Sequence, residues 1–168
     1  MPNSTGWNFP KFDAEAIEAA LFFQVCTAQG DIPDPYVPGN AKYPFVTLTR
    51  NPNLPENTPP MAQPLLGLIG LGAAPVQGGA QGLEKWFLHY RVLVYLRADA
   101  TPDAIPSQQL NYAWNAIVVA MRSGPTFERQ TLGGLCDNAW IEGDVLRDNG
   151  NLDQQCVLIV PVIVDVGI

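Results

Sequence analysis

The sequence predicts an α+β domain in which a mainly antiparallel sheet of about four strands is packed by two helices, in the order α-β-(long loop or hairpin)-β-α-β-β. Three observations lead to this. Residues 83–97 divide by alternation into two faces with a period of two, which is a strand signal. Leu110, Ala113, Trp114, Ile117, Val118 and Met121 follow the i, i+3, i+4, i+7 series of an amphipathic helix. Near the C-terminus two apolar runs are joined by Asn149-Gly150, the strongest short hairpin signal. A chain of 168 residues has room for one ordinary core, so residues 1–168 are expected to form a single domain.

The elements follow in chain order. Residues 11–27 read as the first helix. Asp13 is placed to cap the free amides, Phe12 and Ile17 suit a hydrophobic staple, and Glu15 and Glu18 favour the positive helix end. Ile17, Ala20, Leu21 and Gln24 mark its inner face, and Gly30 is expected to end it. Pro33, Pro35 and Pro38 then exclude helix and central strand from 31–39, a connecting loop. In 43–50, Phe45, Thr47 and Thr49 alternate with Val46 and Leu48, and Pro44 points to an edge strand or a strand start.

Residues 51–82 hold six prolines, six glycines and one charge, Glu56. Such a segment reads as a long inserted loop. It is not polar, however: Leu65, Leu66, Leu68, Ile69 and Leu71 cluster inside it and demand a dry partner. Two placements would supply one, a neighbouring subunit, which is the preferred expectation, or the chain's own sheet. On the first, Leu68→Asp and Ile69→Asp would leave the monomer folded and block assembly.

In 83–97, Trp86, Leu88, Tyr90, Val92, Val94 and Leu96 share one face, and Phe87, His89, Arg91, Leu93, Tyr95 and Arg97 the other. At ~3.3 Å per residue this strand is long, and its first half is expected to project beyond the sheet as half of a hairpin with the preceding loop. Turn chemistry in 101–107 precedes the second helix, which Gly124 and Pro125 stop. Residues 135–146 and 154–166 are the last strands, expected to pair about Asn149-Gly150 so that Cys156 lies opposite Gly143. The final strand is apolar on both faces, which places it inside the sheet with Pro161 at a bulge or an unpaired site.

The chemistry-bearing residues are sparse. Cys26, Cys136 and Cys156 show no metal-ligand spacing and read as reduced structural thiols; His89 is the sole histidine and reads as a packing residue. Gly67, Gly70 and Gly72 lack the strand and the Lys-Ser/Thr of a phosphate loop. Glu142 and Asp144 do not fit a calcium-loop pattern. An enzyme is disfavoured, and no cofactor or metal is expected. Nine basic against sixteen acidic residues give 9 − 16 = −7, which argues against gripping nucleic acid. From residue 128 onward two arginines face seven acids. Glu142, Asp144, Asp148 and Asp153 are the expected acidic surface, which solubilises the chain or repels DNA that slides past. Residues 1–9 lack the pattern of a secretory signal, and the apolar stretch around 65–74 is too short to span a bilayer, so a cytoplasmic chain with no membrane contact is expected. Only 15% of residues are charged and 47% are hydrophobic, so much of the surface is expected to meet protein. Trp7, Trp86, Trp114 and Trp140 suggest, more weakly, a carbohydrate- or host-binding module.

The helix, the strand beginning Tyr43-Pro44-Phe45-Val46, the long strand Trp86 to Arg97, the helix with Trp114, the stretch Trp140-Ile141-Glu142-Gly143-Asp144 and the terminal Val/Ile strand together resemble the tail terminator (tail completion, neck) proteins of tailed bacteriophages. The resemblance covers most of the chain outside 51–82. It implies a virion protein assembled in the bacterial cytoplasm as a homo-oligomeric ring of six. Such a ring caps the tail tube, stops its polymerisation and docks to the head or neck connector, with DNA passing through. Partners would be the tube protein, the connector protein and, in a contractile tail, the sheath. Leu65, Leu66, Leu68, Ile69, Leu71, Trp86 and Phe87 are the expected subunit contacts. A head-side neck adaptor is the alternative within the same class. The long neutral loop exceeds what a minimal terminator needs.

Overall fold

The structure, a computed structural model, describes residues 12–27, 45–59, 63–76, 85–97, 106–122, 129–149 and 155–167. Helix α1 is Ala14–Cys26. Asp13 caps it by accepting the Ala16 N–H at 3.0 Å, and Ile17, Leu21 and Val25, one turn apart, are buried. Strand β1 (Thr47–Thr49) follows, then a 3-10 turn at Pro55–Asn57, β2 (Leu65–Pro75), β3 (Lys85–Arg97), α2 (Pro106–Ala120), β4 (Asn138–Ile141), β5 (Leu146–Asn149) and β6 (Gln155–Gly167). The strands form one sheet in the order β1-β2-β3-β6-β4, with β5 beside β6 on the β4 side. Only the β1–β2 pair is parallel. The fold is therefore α+β, a six-stranded, mostly antiparallel sheet with two helices.

Two strands exceed the expected four. The first arises inside 51–82, where β2 pairs with β3 from Leu65 opposite Tyr95 to Pro75 opposite Trp86. Its glycines hide the alternation, but Leu66 and Leu68 lie opposite Val94 and Val92, and all four side chains are fully buried under the helices. Leu65 is buried on the opposite face with Leu93 and Tyr95. The preferred placement of this segment against a neighbour is thus corrected for Leu65, Leu66 and Leu68, which pack into the chain's own sheet. Nor does β3 project beyond the sheet, because β6 pairs with it along its length, from Lys85 opposite Gly167 to Arg97 opposite Gln155.

The second extra strand comes from splitting 135–146. Ile141 lies opposite Val162 and Leu146 opposite Ile159, so 142–145 bulge across only two residues of β6. Gly143 takes φ +106° there, a backbone state reserved for glycine. The bulge also accommodates Pro161, whose carbonyl accepts the Glu142 N–H at 3.2 Å. In a strand the N and C=O of one residue point the same way, so the absent N–H of Pro161 faces the bulge, where the ladder is already interrupted. Asn149 belongs to β5 and pairs with Cys156, which corrects the expected Cys156–Gly143 register; residues 150–154, between the two strands, lie outside the described residues. Helix α2 begins at Pro106, so Pro106 and Ser107 are helical, with proline at a first-turn position that needs no N–H donor. The loop 31–39, Tyr43 with Pro44, and the stops at Gly30, Gly124 and Pro125 lie outside the described residues.

The helices cover one face of the sheet. Ile17, Leu21 and Val25 of α1 and Leu110, Ala113 and Ile117 of α2 meet the even-numbered side chains of β3 and β6, Val92, Val94, Leu96, Leu158, Val160, Val162 and Val164. Arg50, just after β1, ties that edge to α1 through ion pairs with Glu15 at 2.7 Å and Glu18 at 2.8 Å.

Candidate functional site

The odd-numbered residues of β3 and β6 point away from the helices and form the second face. One end of it is roofed by residues 52–59. A Cβ on Gly67 would come within 2.9 Å of the Pro52 ring, so Pro52 rests directly on that glycine. Thr58 is buried and its hydroxyl donates to the Leu54 carbonyl at 3.0 Å, and the Gln63 and Gln155 amides pair at 3.1 Å. Beneath this strap lie Leu65, Leu93 and Tyr95, with Ile69, Val157 and Ile159 packed beside them. Burial, then the nearby Glu56, pushes the Tyr95 hydroxyl above its ordinary pKa.

Beyond the strap no element among the described residues covers the face. Phe87, His89 and Arg91 of β3, Pro161 and Ile163 of β6 and Trp140 of β4 line it. Phe87 and Trp140 meet edge to face, ring centres 5.9 Å apart and planes at 89°. The Trp140 indole N–H donates to the Glu142 carboxylate, which holds the ring in place. At the far end Lys85 stands 3.2 Å from Asp165 and 3.8 Å from Asp137. On the other side of β6 a hollow of about 330 Å³ is lined by Leu146, Arg147, Asp148, Val157 and Ile159.

The expected contact residues separate accordingly. Leu65, Leu66 and Leu68 are interior, Ile69, Trp86 and Phe87 half-buried, and Leu71 is the extra residue of a bulge in β2 and 51% exposed. The side chains not singled out from sequence are Arg91, Pro161, Ile163 and the strap's Leu54. Their signal was the two-faced apolar pattern of β6, which calls for a cover on both sides. Of the acidic surface, Glu142 and Asp144 are exposed in the bulge and Asp148 on β5; Asp153 lies outside the described residues.

What this face offers is apolar and aromatic surface with Arg91 and Glu142 beside it. Among the described residues no three His, Cys, Asp or Glu side chains gather to hold a metal ion. Cys136 donates to the Gln130 carbonyl, and burial, with Asp137 and Asp165 nearby, pushes its thiol up to about 11. Tyr90, beneath α1, is pushed up to about 12, first by burial and then by Glu18. Both groups are protonated in the fold and ionise more readily once unfolded. Their stabilisation is therefore whole below pH ~9–10 and lost as pH rises to about 11–12. Urea unfolding midpoints are expected to fall steadily above pH ~9, and to fall less in Tyr90→Phe and Cys136→Ser.

No helix among the described residues is long and apolar enough to cross a membrane. No protein-family model matches the chain, and no curated protein matches it.

Proposed function

We propose that the chain is a structural virion subunit, a tail terminator of a tailed bacteriophage that works by docking and performs no chemistry. Six copies form a ring that caps the tail tube, ends its polymerisation and receives the head or neck connector. The observation that carries this reading is the half-buried apolar strip of Phe87, Trp140, Pro161 and Ile163, covered by no element among the described residues, in a chain whose charged fraction is 15%. A strip of this kind is what a protein that buries its surface against other proteins exposes beforehand. The resemblance of the element order and of Trp140-Ile141-Glu142-Gly143-Asp144 to terminators supports the same reading. Glu142, Asp144 and Asp148 supply the negative surface that keeps passing DNA from adhering.

The test is reconstitution with tail tube protein. Electron microscopy is expected to show density capping tube ends and tubes of bounded length, and native mass spectrometry a six-subunit species. Monomers throughout, with tube lengths unchanged, would remove the proposal. Association with portal-side proteins and never with tubes would move it to the head side of the neck.

A further inference from the structure

We infer that the strap of residues 52–59 is a releasable cover, which lifts from the sheet as a unit while the rest of the fold stays intact and in closing hides one end of the second face. Nothing in this movement depends on the terminator reading.

The strap is hydrogen-bonded to itself. The Asn57 and Thr58 amides donate to the Leu54 and Pro55 carbonyls at 2.9 and 3.1 Å, and the Thr58 hydroxyl donates to the Leu54 carbonyl. Among the described residues, the one hydrogen bond that leaves it joins the Thr58 carbonyl to the Gln63 amide, which donates at 3.3 Å. A strand that leaves a sheet forfeits a ladder of backbone bonds, whereas this segment leaves with its own set made. It also hides little of itself. Thr58 is its single buried residue, Pro52 and Pro55 are half-buried, and Leu54 is 61% exposed. Segments held by so few buried contacts open locally, at far lower free energy than the core.

Both flanks of the strap are fixed. Before it, Arg50 is tied to α1 through Glu15 and Glu18, and the Asn51 amide donates to the Thr49 hydroxyl at 3.1 Å. After it, the Gln63 amide pairs reciprocally with that of Gln155 on β6, which also donates to the Leu96 carbonyl at 3.2 Å. The strap is slung between these two points, and the bond from Gln63 to Thr58 is its latch. Otherwise closure is by contact: Pro52 rests on Gly67, and the turn at Pro55–Asn57 lies against β6. Glu56 stands close enough to Tyr95 to help raise the pKa of its hydroxyl. The floor of Leu65, Leu93 and Tyr95 is a cluster of its own, on the side of the sheet away from the helices, so uncovering it leaves the main core untouched. Leu93 is followed on the same face of β3 by Arg91, which lies opposite Pro161. Lifting the strap therefore extends the apolar surface of the second face by that end.

Thiol labelling of the full chain across sub-denaturing urea concentrations tests this. Leu93→Cys places a thiol beneath the strap, and Val94→Cys places one on the helix side of the same strand, where Val94 is fully buried. The thiol at 93 is expected to label at least about a hundredfold faster than that at 94 and almost independently of urea, as a local opening does. Two further changes, each added to Leu93→Cys, act on closure alone. Gln63→Ala removes the latch. Gly67→Ala sets a Cβ 2.9 Å from the Pro52 ring, and since β2 is paired there with both β1 and β3, the strap is the part that gives way. Each is expected to speed labelling at 93 at least about tenfold, with labelling at 94 and far-ultraviolet circular dichroism unchanged. If the wedge at Gly67 unfolds the chain, Gln63→Ala decides. Equal labelling at 93 and 94, with the urea dependence of global unfolding, overturns the inference, as does a rate at 93 that neither change alters.

Discussion

Leu68→Asp is expected to abolish the folded monomer, while Ile69→Asp, one residue further along the same strand, leaves it folded. Leu68 is fully buried under the helices opposite Val92, also fully buried, in a cluster of apolar side chains. Ile69 points to the second face and is half-buried. A carboxylate forced into the first site remains charged without a partner or takes up a proton at a large pKa cost, and the leucine's packing is lost besides. Together these cost about 5 kcal/mol or more, comparable with the whole stability of a domain this size. Far-ultraviolet circular dichroism and thermal melts of the two variants check it. A folded Leu68→Asp monomer would mean that β2 does not belong to the sheet. This expectation replaces the one drawn from sequence, in which both variants fold and both block assembly.

Gly143→Val is the second large effect, expected to destabilise by about 2–4 kcal/mol. Gly143 sits at φ +106°, where a β-branched residue is strained, and its new Cβ would press on the Pro161 ring at 3.3 Å. Relief requires the bulge to change shape, and the bulge is where the ladder tolerates a proline in the middle of β6. Denaturant titration should show a lower midpoint with an unchanged slope, since the unfolding transition exposes the same surface. Wild-type stability in Gly143→Val would mean that the bulge is not held in this form.

Several elements were legible because their signals are local. Asp13 caps α1 as its position before Ala14 suggests, and the spacing of Leu110, Ala113 and Ile117 describes the buried face of α2. The alternation of β3 is reproduced residue by residue, with the even-numbered side chains from Leu88 onward buried under the helices. Pro161 was expected at a bulge or a locally unpaired site and stands opposite a bulge. The site was harder to read. Arg91, Pro161 and Glu142 come from three parts of the chain, and only strand pairing brings them to one level.

Strand β2 shows where local reading stops. Leu-Leu-Gly-Leu-Ile-Gly-Leu has glycines at positions that break a period-two pattern, so propensity and periodicity both argue for a loop. What makes it a strand is β3, a long neighbour with an open edge, and a helix layer able to bury Leu66 and Leu68. Gly67 has its own use there, since only the missing side chain lets Pro52 close over it.

By itself the sequence determined the fold class, both helices, the positions of β3 and β6 in the chain, the acidity of the chain and the place of its last strand inside the sheet. These are set by charge counts and by side chains a few positions apart. The tertiary structure decided that β2 exists, that 135–146 divides around Gly143, which leucines are interior, and which part of the second face lies under the strap. Those outcomes depend on pairing between segments distant in the chain, and a strand's partner is chosen by the whole sheet.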